Sequence, residues 1–167
     1  AGGPAARYAV AGLTFVGLME PLVFTVQTFP QTATYYNTFA GGMEEAYDNY
    51  EMDFYYNSMK DATDWFIKHE LPKTDPKDTI HVYSNHYGIA AAYLKPYPNV
   101  IVDYIRFRER SYKNWDYLIM HRALIPEDRL KNRSWLLKHT LYQASVKDLP
   151  LTVVVRRPSM DDYYGFK

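Results

Sequence analysis

The sequence contains no cysteine. That excludes disulfides, thiol nucleophiles and thiolate metal sites together, and leaves the redox compartment open. It has no net charge either, because Lys+Arg 19 balance Asp+Glu 19. A nucleic-acid binder needs a basic surplus to displace phosphate counterions, so nucleic acid is not an expected partner. A polybasic run for lipid headgroups is also missing. No glycine-rich phosphate loop, GxGxxG, GxSxG or HExxH pattern occurs. The five histidines (His69, His81, His86, His121 and His139) include no i, i+4 pair, so neither a metal nor a cofactor is expected. What is abundant is tyrosine, 17 in 167 residues, within an ordinary globular balance of 47% hydrophobic and 23% charged residues.

A mean hydropathy of −0.40 hides an apolar start. Tyr8 to Gln27 reads YAVAGLTFVGLMEPLVFTVQ, with Glu20 as its one ionisable side chain. As a helix, Ala9 to Val26 spans about 27 Å, near the thickness of a hydrocarbon core. A glutamate beside a helix-kinking proline, Glu20-Pro21, suits a span that packs against other helices better than a lone anchor. A signal peptide and a buried helix of a soluble domain are the competing readings; a membrane span is preferred. Arg7 precedes it, so the positive-inside rule puts the N-terminus in the cytoplasm and the rest outside. The expected location is a membrane with the main domain outside the cytoplasm.

The expected organisation is a transmembrane helix over 1–30, a membrane-proximal Tyr-rich loop over 31–56 and an extracytoplasmic α/β domain over 57–167. In the loop, Gly41-Gly42 marks a turn and Met43 to Tyr47 one helical turn. Tyrosines up to Tyr56 suit a membrane–water belt, and those from Tyr83 to Tyr164 an aromatic core. Asn57 or Ser58 caps a helix to His69 with a Met59, Ala62, Trp65, Phe66 stripe. Strands are expected at Thr79–Ser84, Val100–Phe107, Asp116–His121, Thr140–Val146 and Leu151–Arg156. Helices are expected at Tyr87–Leu94 and from Pro126 to about Lys138. Strands alternating with helices before a final hairpin predict a small α/β domain with a mixed sheet. Residues 31–167 alone are expected to be soluble and folded, whereas 1–167 needs detergent.

Two charge clusters stand out. Glu44, Glu45, Asp48, Glu51 and Asp53 follow the glycines and read as a solvated acidic face before an acid–base pair or cation site. Arg106, Arg108 and Arg110, with Lys113, place alternating cations on one strand face. They are candidates to hold an anion such as a lipid or sugar phosphate, or to pair with the acidic stretch. His81 and His86 flank a strand end, where sites gather in α/β folds, although a structural role is the commoner meaning. Asn132-Arg-Ser matches the short glycosylation triplet.

Thr28-Phe29-Pro30, then Tyr35-Tyr36-Asn37-Thr38-Phe39-Ala40-Gly41-Gly42, then Ala46-Tyr47-Asp48-Asn49-Tyr50-Glu51-Met52-Asp53, then Asn57-Ser58 and Ala62-Thr63-Asp64-Trp65 resemble one known block. Multi-spanning bacterial glycosyltransferases similar to dolichyl-phosphate-mannose–protein mannosyltransferases carry it just after their last membrane helix. Trp115 to Ile119 and Leu149 to Arg157 resemble that family's carboxyl-terminal domain. The resemblance covers most of residues 20–157. It implies that the catalytic acids lie in extracytoplasmic loops to which nothing here corresponds, so no catalytic residue is carried over. It also implies that Tyr36, Asn37, Gly41, Gly42, Asp53 and Asn57 pack the terminal domain onto the membrane part, in a bacterial inner membrane with a periplasmic main domain. Glu20-Pro21 in the span, read from the residues alone, points to a protein partner. The expected partners are the membrane, other transmembrane helices or subunits, and a polyprenyl-phosphate-linked sugar. Three functions follow in order: a non-catalytic anchored domain or part of a transferase, an accessory one-span subunit, and a glycan-binding periplasmic domain.

Overall fold

The computed structural model describes residues 3–158. Helix α1 (Pro4–Thr28) opens with proline in its first turn, where the missing N–H costs nothing. It runs on through Pro21, although that residue offers no N–H to the carbonyl of Gly17. Its side chains are bare all round: Val10, Leu13 and Val16 are 63%, 75% and 68% exposed. Only Phe24 and Thr28 are buried. With 6% of its apolar window buried, α1 is not a core helix of the α/β domain.

The chain then folds into a layer rather than a loop. Gly41 (φ +87°) and Gly42 (φ +71°) occupy the left-handed region that a side chain resists. They lead into α2 (Gly42–Asn49), longer than the single turn expected. Met43, Tyr47 and Met52 join Phe24, Val146, Leu149 and Leu151 in one apolar cluster, so this layer and the end of α1 share a core.

Helix α3 (Asn57–His69) has the expected bounds, but neither Asn57 nor Ser58 caps it with its side chain. Asp53 does so, accepting the N–H groups of Asn57 at 2.9 Å and Ser58 at 2.8 Å. Met59, Ala62 and Phe66 are buried as the stripe predicts, and Trp65 stacks on Tyr142. Then come β1 (Ile80–Ser84), α4 (Tyr87–Leu94), β2 (Val100–Tyr104), β3 (Tyr117–His121), α5 (Glu127–Lys131), β4 (Thr140–Val146) and β5 (Leu149–Arg156). The sheet order is β2-β1-β3-β5-β4, with β1 parallel to β2 and β3, and β5 antiparallel to β3 and β4. This is the expected small α/β domain with a mixed sheet. Helices α3 and α4 cover one face over Val82, Ile119 and Val154. The other face carries Leu118, Met120, Val153 and Val155 under Trp115 and Trp135.

Three local expectations change. Helix α5 stops at Lys131 rather than near Lys138, and Arg133 turns the chain at φ +57°. Strand β2 ends at Tyr104, and Phe107–Ser111 is a 3₁₀ turn, so Arg106, Arg108 and Arg110 do not line a strand face. The later tyrosines divide: Tyr117 is buried in the core and Tyr83, Tyr97 and Tyr142 pack against it, while Tyr87, Tyr93, Tyr104 and Tyr112 are exposed. Tyr163 and Tyr164 lie outside the described residues.

Register fixes the direction of the domain. His121, at the end of β3, pairs with Thr152, and the neighbouring Leu149 and Leu151 of β5 pack with Phe24. The carboxyl ends of β2, β1 and β3 therefore point toward the base of α1.

Candidate functional site

Strand β1 is followed through α4 by β2 on one side, and β2 by β3 on the other. That reversal is a topological switch point, and in open α/β sheets ligands gather outside the strand carboxyl ends there. Asn85 and His86 follow β1, Arg106 comes soon after β2, and His121 and Arg122 finish β3. The Asn85 amide clamps the two central strands. Its Nδ2 donates to the His121 carbonyl at 2.7 Å, and its Oδ1 accepts the His121 N–H at 2.9 Å.

His121 Nδ1 accepts the Ala123 N–H at 3.1 Å, which assigns the neutral ring's proton to Nε2. Nε2 lies 3.5 Å from Asp53 Oδ2, a close approach longer than a good hydrogen bond, with both side chains fully buried. Tyr56 packs against both imidazoles, at ring-centroid distances of 4.3 Å to His86 and 5.0 Å to His121. Burial pushes both histidines below their ordinary range; nearby His121 adds to this at His86, and Asp53 opposes it at His121. Burial pushes the Asp53 carboxyl up, but His121 and the Ser58 donors outweigh it and hold the group below its usual range. The cluster thus fastens residues 53–58 to the strand ends as a neutral-imidazole, ionised-carboxylate arrangement.

Beside this lock lies an open groove of about 310 Å³, lined by Asn85, Tyr104, Arg106, Phe107, Arg108, Leu124 and Pro126. Two of the expected anion-binding residues meet here. The third does not: Arg110 donates to the Phe107 carbonyl at 2.7 Å and lies over the Phe107 ring at 3.8 Å. Nor does the acidic stretch pair with this cluster. Asp48 binds Arg133 at 2.6 Å instead, Glu45 accepts from Asn49 at 2.9 Å, and Asp53 is buried. Among the described residues, no group of three or more His, Cys, Asp or Glu could hold a metal ion.

The membrane-proximal candidates collect at the base of α1. Glu20 accepts the Thr38 N–H at 3.0 Å and the Thr38 hydroxyl at 2.6 Å, so its carboxylate is engaged by the chain's own returning segment. Burial raises the Tyr35 hydroxyl, and the neighbouring Glu20 charge adds to it. The Tyr36 hydroxyl donates to the Glu51 carbonyl at 2.9 Å, and its ring stacks on Tyr50. The Asn37 carbonyl accepts the Gly42 N–H at 3.0 Å, closing the turn that Gly41 permits. Asn57 supplies only its backbone N–H, to Asp53. Glu20, Tyr36 and Gly42 line an open cavity of about 390 Å³ beside α1, together with Phe24, Tyr35 and Lys147; Asn37, Gly41, Asp53 and Asn57 do not.

Sequence reasoning missed the parts that depend on distant partners. Arg122 is buried, donates to the carbonyls of Tyr47 and Tyr50, and lies 4.4 Å from the Tyr47 ring centre. Arg133 faces the same ring at 4.1 Å, and the Tyr47 hydroxyl donates to the Pro150 carbonyl at 2.7 Å. No local pattern marks Arg122 or Asn85; of the two histidines expected to flank a strand end, His86 follows β1, whereas His81 is the second residue within it. No family model, no curated protein and no solved structure matches this chain.

Proposed function

We propose that this chain is a membrane-anchored, non-catalytic domain that packs its α/β fold down onto the end of its own transmembrane helix and meets other membrane helices there. The carrying observation is the division of α1. It exposes apolar side chains along most of its length, from Val10 and Leu13 to Val26, while Glu20 accepts from Thr38 and Phe24 packs in the domain's apolar cluster. A helix apolar all round requires lipid or neighbouring helices around it. Arg7 on the N-terminal side supports a cytoplasmic N-terminus and an extracytoplasmic domain, in the setting of a bacterial inner membrane. The resemblance to the carboxyl-terminal part of lipid-linked-sugar glycosyltransferases agrees with that arrangement, with catalytic loops lying outside these residues.

Fractionation tests this. The full chain should stay with membranes through alkaline carbonate washing and be released by detergent. Recovery as a monomer in plain buffer would remove the anchored reading. In-membrane crosslinking from the exposed positions 10, 13 and 16 should capture a second polypeptide, the helix that the bare apolar surface of α1 meets.

A further inference from the structure

We propose that the groove at the strand carboxyl ends binds a phosphate-bearing ligand through Arg106 and Arg108. Among the described residues, the groove is lined by two arginines and no acidic residue. Glu109, the acid of the FRERS turn, accepts the Arg106 backbone N–H at 3.1 Å and pairs with Lys113 at 3.3 Å, and its charge also reaches Arg106 without an ion pair forming. Among the described residues, neither Arg106 nor Arg108 forms an ion pair, and both are exposed. Two exposed arginines without an ion pair, of which only Arg106 feels the nearby Glu109 charge, are a ready partner for a phosphate at a concave site, because a guanidinium fork contacts two oxygens at once.

The remaining walls narrow the ligand class. Tyr104, Phe107, Leu124 and Pro126 are largely apolar, so the group attached to the phosphate meets ring and aliphatic surface rather than acceptors. Asn85 cannot turn to the ligand without releasing its two bonds to His121. A phosphoester carrying an apolar body fits; a multiply charged polar ligand finds no further cation among the described lining residues. The position agrees, because this is the switch-point end of the sheet, where the fold gathers its ligands. The same end faces the base of α1 and the exposed aromatic rings of Phe39, Phe54 and Tyr55 in the adjoining layer. Two sources share this chemistry: a lipid headgroup reaching up from the bilayer, and a soluble phosphoester. Only the lipid source depends on α1 being a membrane span.

Binding should be measured on the full chain in nanodiscs of zwitterionic phosphatidylcholine. One arm titrates glycerol 3-phosphate; the other replaces part of the lipid with phosphatidic acid, and both follow the Arg106 and Arg108 side-chain NMR signals. The proposal expects a saturable response of both signals in at least one arm. Binding in the free-phosphoester arm identifies a soluble ligand. Binding in the lipid arm alone identifies a headgroup. The double variant R106Q/R108Q should weaken the response about tenfold or more, as loss of two charge-assisted contacts requires. The control K68Q/K77Q removes the same charge from exposed lysines elsewhere and should leave it unchanged. R106K/R108K should keep part of the affinity, because a point charge replaces a fork. Both arginines are exposed, so an unchanged melting temperature for each variant establishes that the fold is intact. No saturable response in either arm, or equal loss in the lysine control, overturns the proposal. Failure of the fractionation test while glycerol 3-phosphate still binds would overturn the anchor and leave this site standing.

Discussion

At the scale of single residues, the turn before α2 gives the sharpest contrast. Gly41 and Gly42 both have positive φ, but their surroundings differ. A Cβ on Gly41 would meet Glu45 Cβ at 2.6 Å, whereas one on Gly42 would meet nothing within 4 Å. Gly41→Ala should therefore combine left-handed strain with a clash against a helical side chain, costing about 2–3 kcal/mol. Gly42→Ala should cost only the strain, about 1–2 kcal/mol. Urea unfolding of the full chain in detergent micelles would rank the two, and the reverse order would contradict this geometry. The buried imidazoles make a second prediction. His86 and His121 hold folded-state values below the ordinary value of 6.5. The unfolded chain then binds more protons just below that pH, so the stability they contribute is complete above about pH 6.5 and falls as pH drops beneath it. The melting temperature should fall between pH 7.5 and pH 5.5. His86→Phe, which keeps a ring beside Tyr56 and removes a buried Nε2 without a partner, should flatten that slope. Asp53 acts in a lower window, its contribution present above about pH 4 and lost as the pH falls through its depressed folded value.

At the scale of elements, the segment between α1 and α3 is structural rather than a linker. Phe24 packs with Met43, Tyr47, Met52 and Leu151, and Gln31 reaches α3 by donating to Asp61 at 3.0 Å. Phe24→Ala should cost about 3 kcal/mol or more as a buried aromatic truncation. A fragment starting at residue 31 loses Phe24 altogether. It should melt several degrees below one starting at residue 20, which modifies the expectation that 31–167 is self-sufficient. Equal melting points would show that α1 lends the domain nothing. Much at this scale was legible in the sequence because its signals are local. Tyr87–Leu94 is an apolar run stopped before Lys95-Pro96, and Ile80–Ser84 alternates in β-branched and aromatic residues. The misreadings came from interactions that alternation cannot reveal. Arg106, Arg108 and Arg110 repeat every second residue as on a strand, yet the Glu109 carboxylate binds the Arg106 N–H and closes a turn. The cap of α3 went to Asp53, four residues ahead of Asn57, because the left-handed conformations of Asp53 and Tyr56 bring that carboxylate back to the helix start.

At the scale of the whole molecule, one direction organises everything: the carboxyl ends of the parallel strands, the Asp53–His121 lock, the Arg106/Arg108 groove and the base of α1 all lie at one end of the sheet. The mixed sheet and the apolar helix were readable from hydrophobic patterning, but this common direction was not. It depends on β3 pairing with β5 across some thirty to forty residues and on Phe24 meeting Leu151, more than a hundred residues away. The chain's lack of cysteine makes the account testable by labelling, because any single cysteine introduced is the only thiol present. The direct measurement is the reaction of a membrane-impermeant maleimide with the full chain in sealed membrane vesicles, using L13C, V16C and K68C in separate variants. The prediction is that Leu13→Cys and Val16→Cys stay unlabelled until detergent is added, while Lys68→Cys reacts only from the face opposite Arg7. Rapid labelling at positions 13 and 16 in intact membranes would contradict the account, since the bare face of α1 would then be in water.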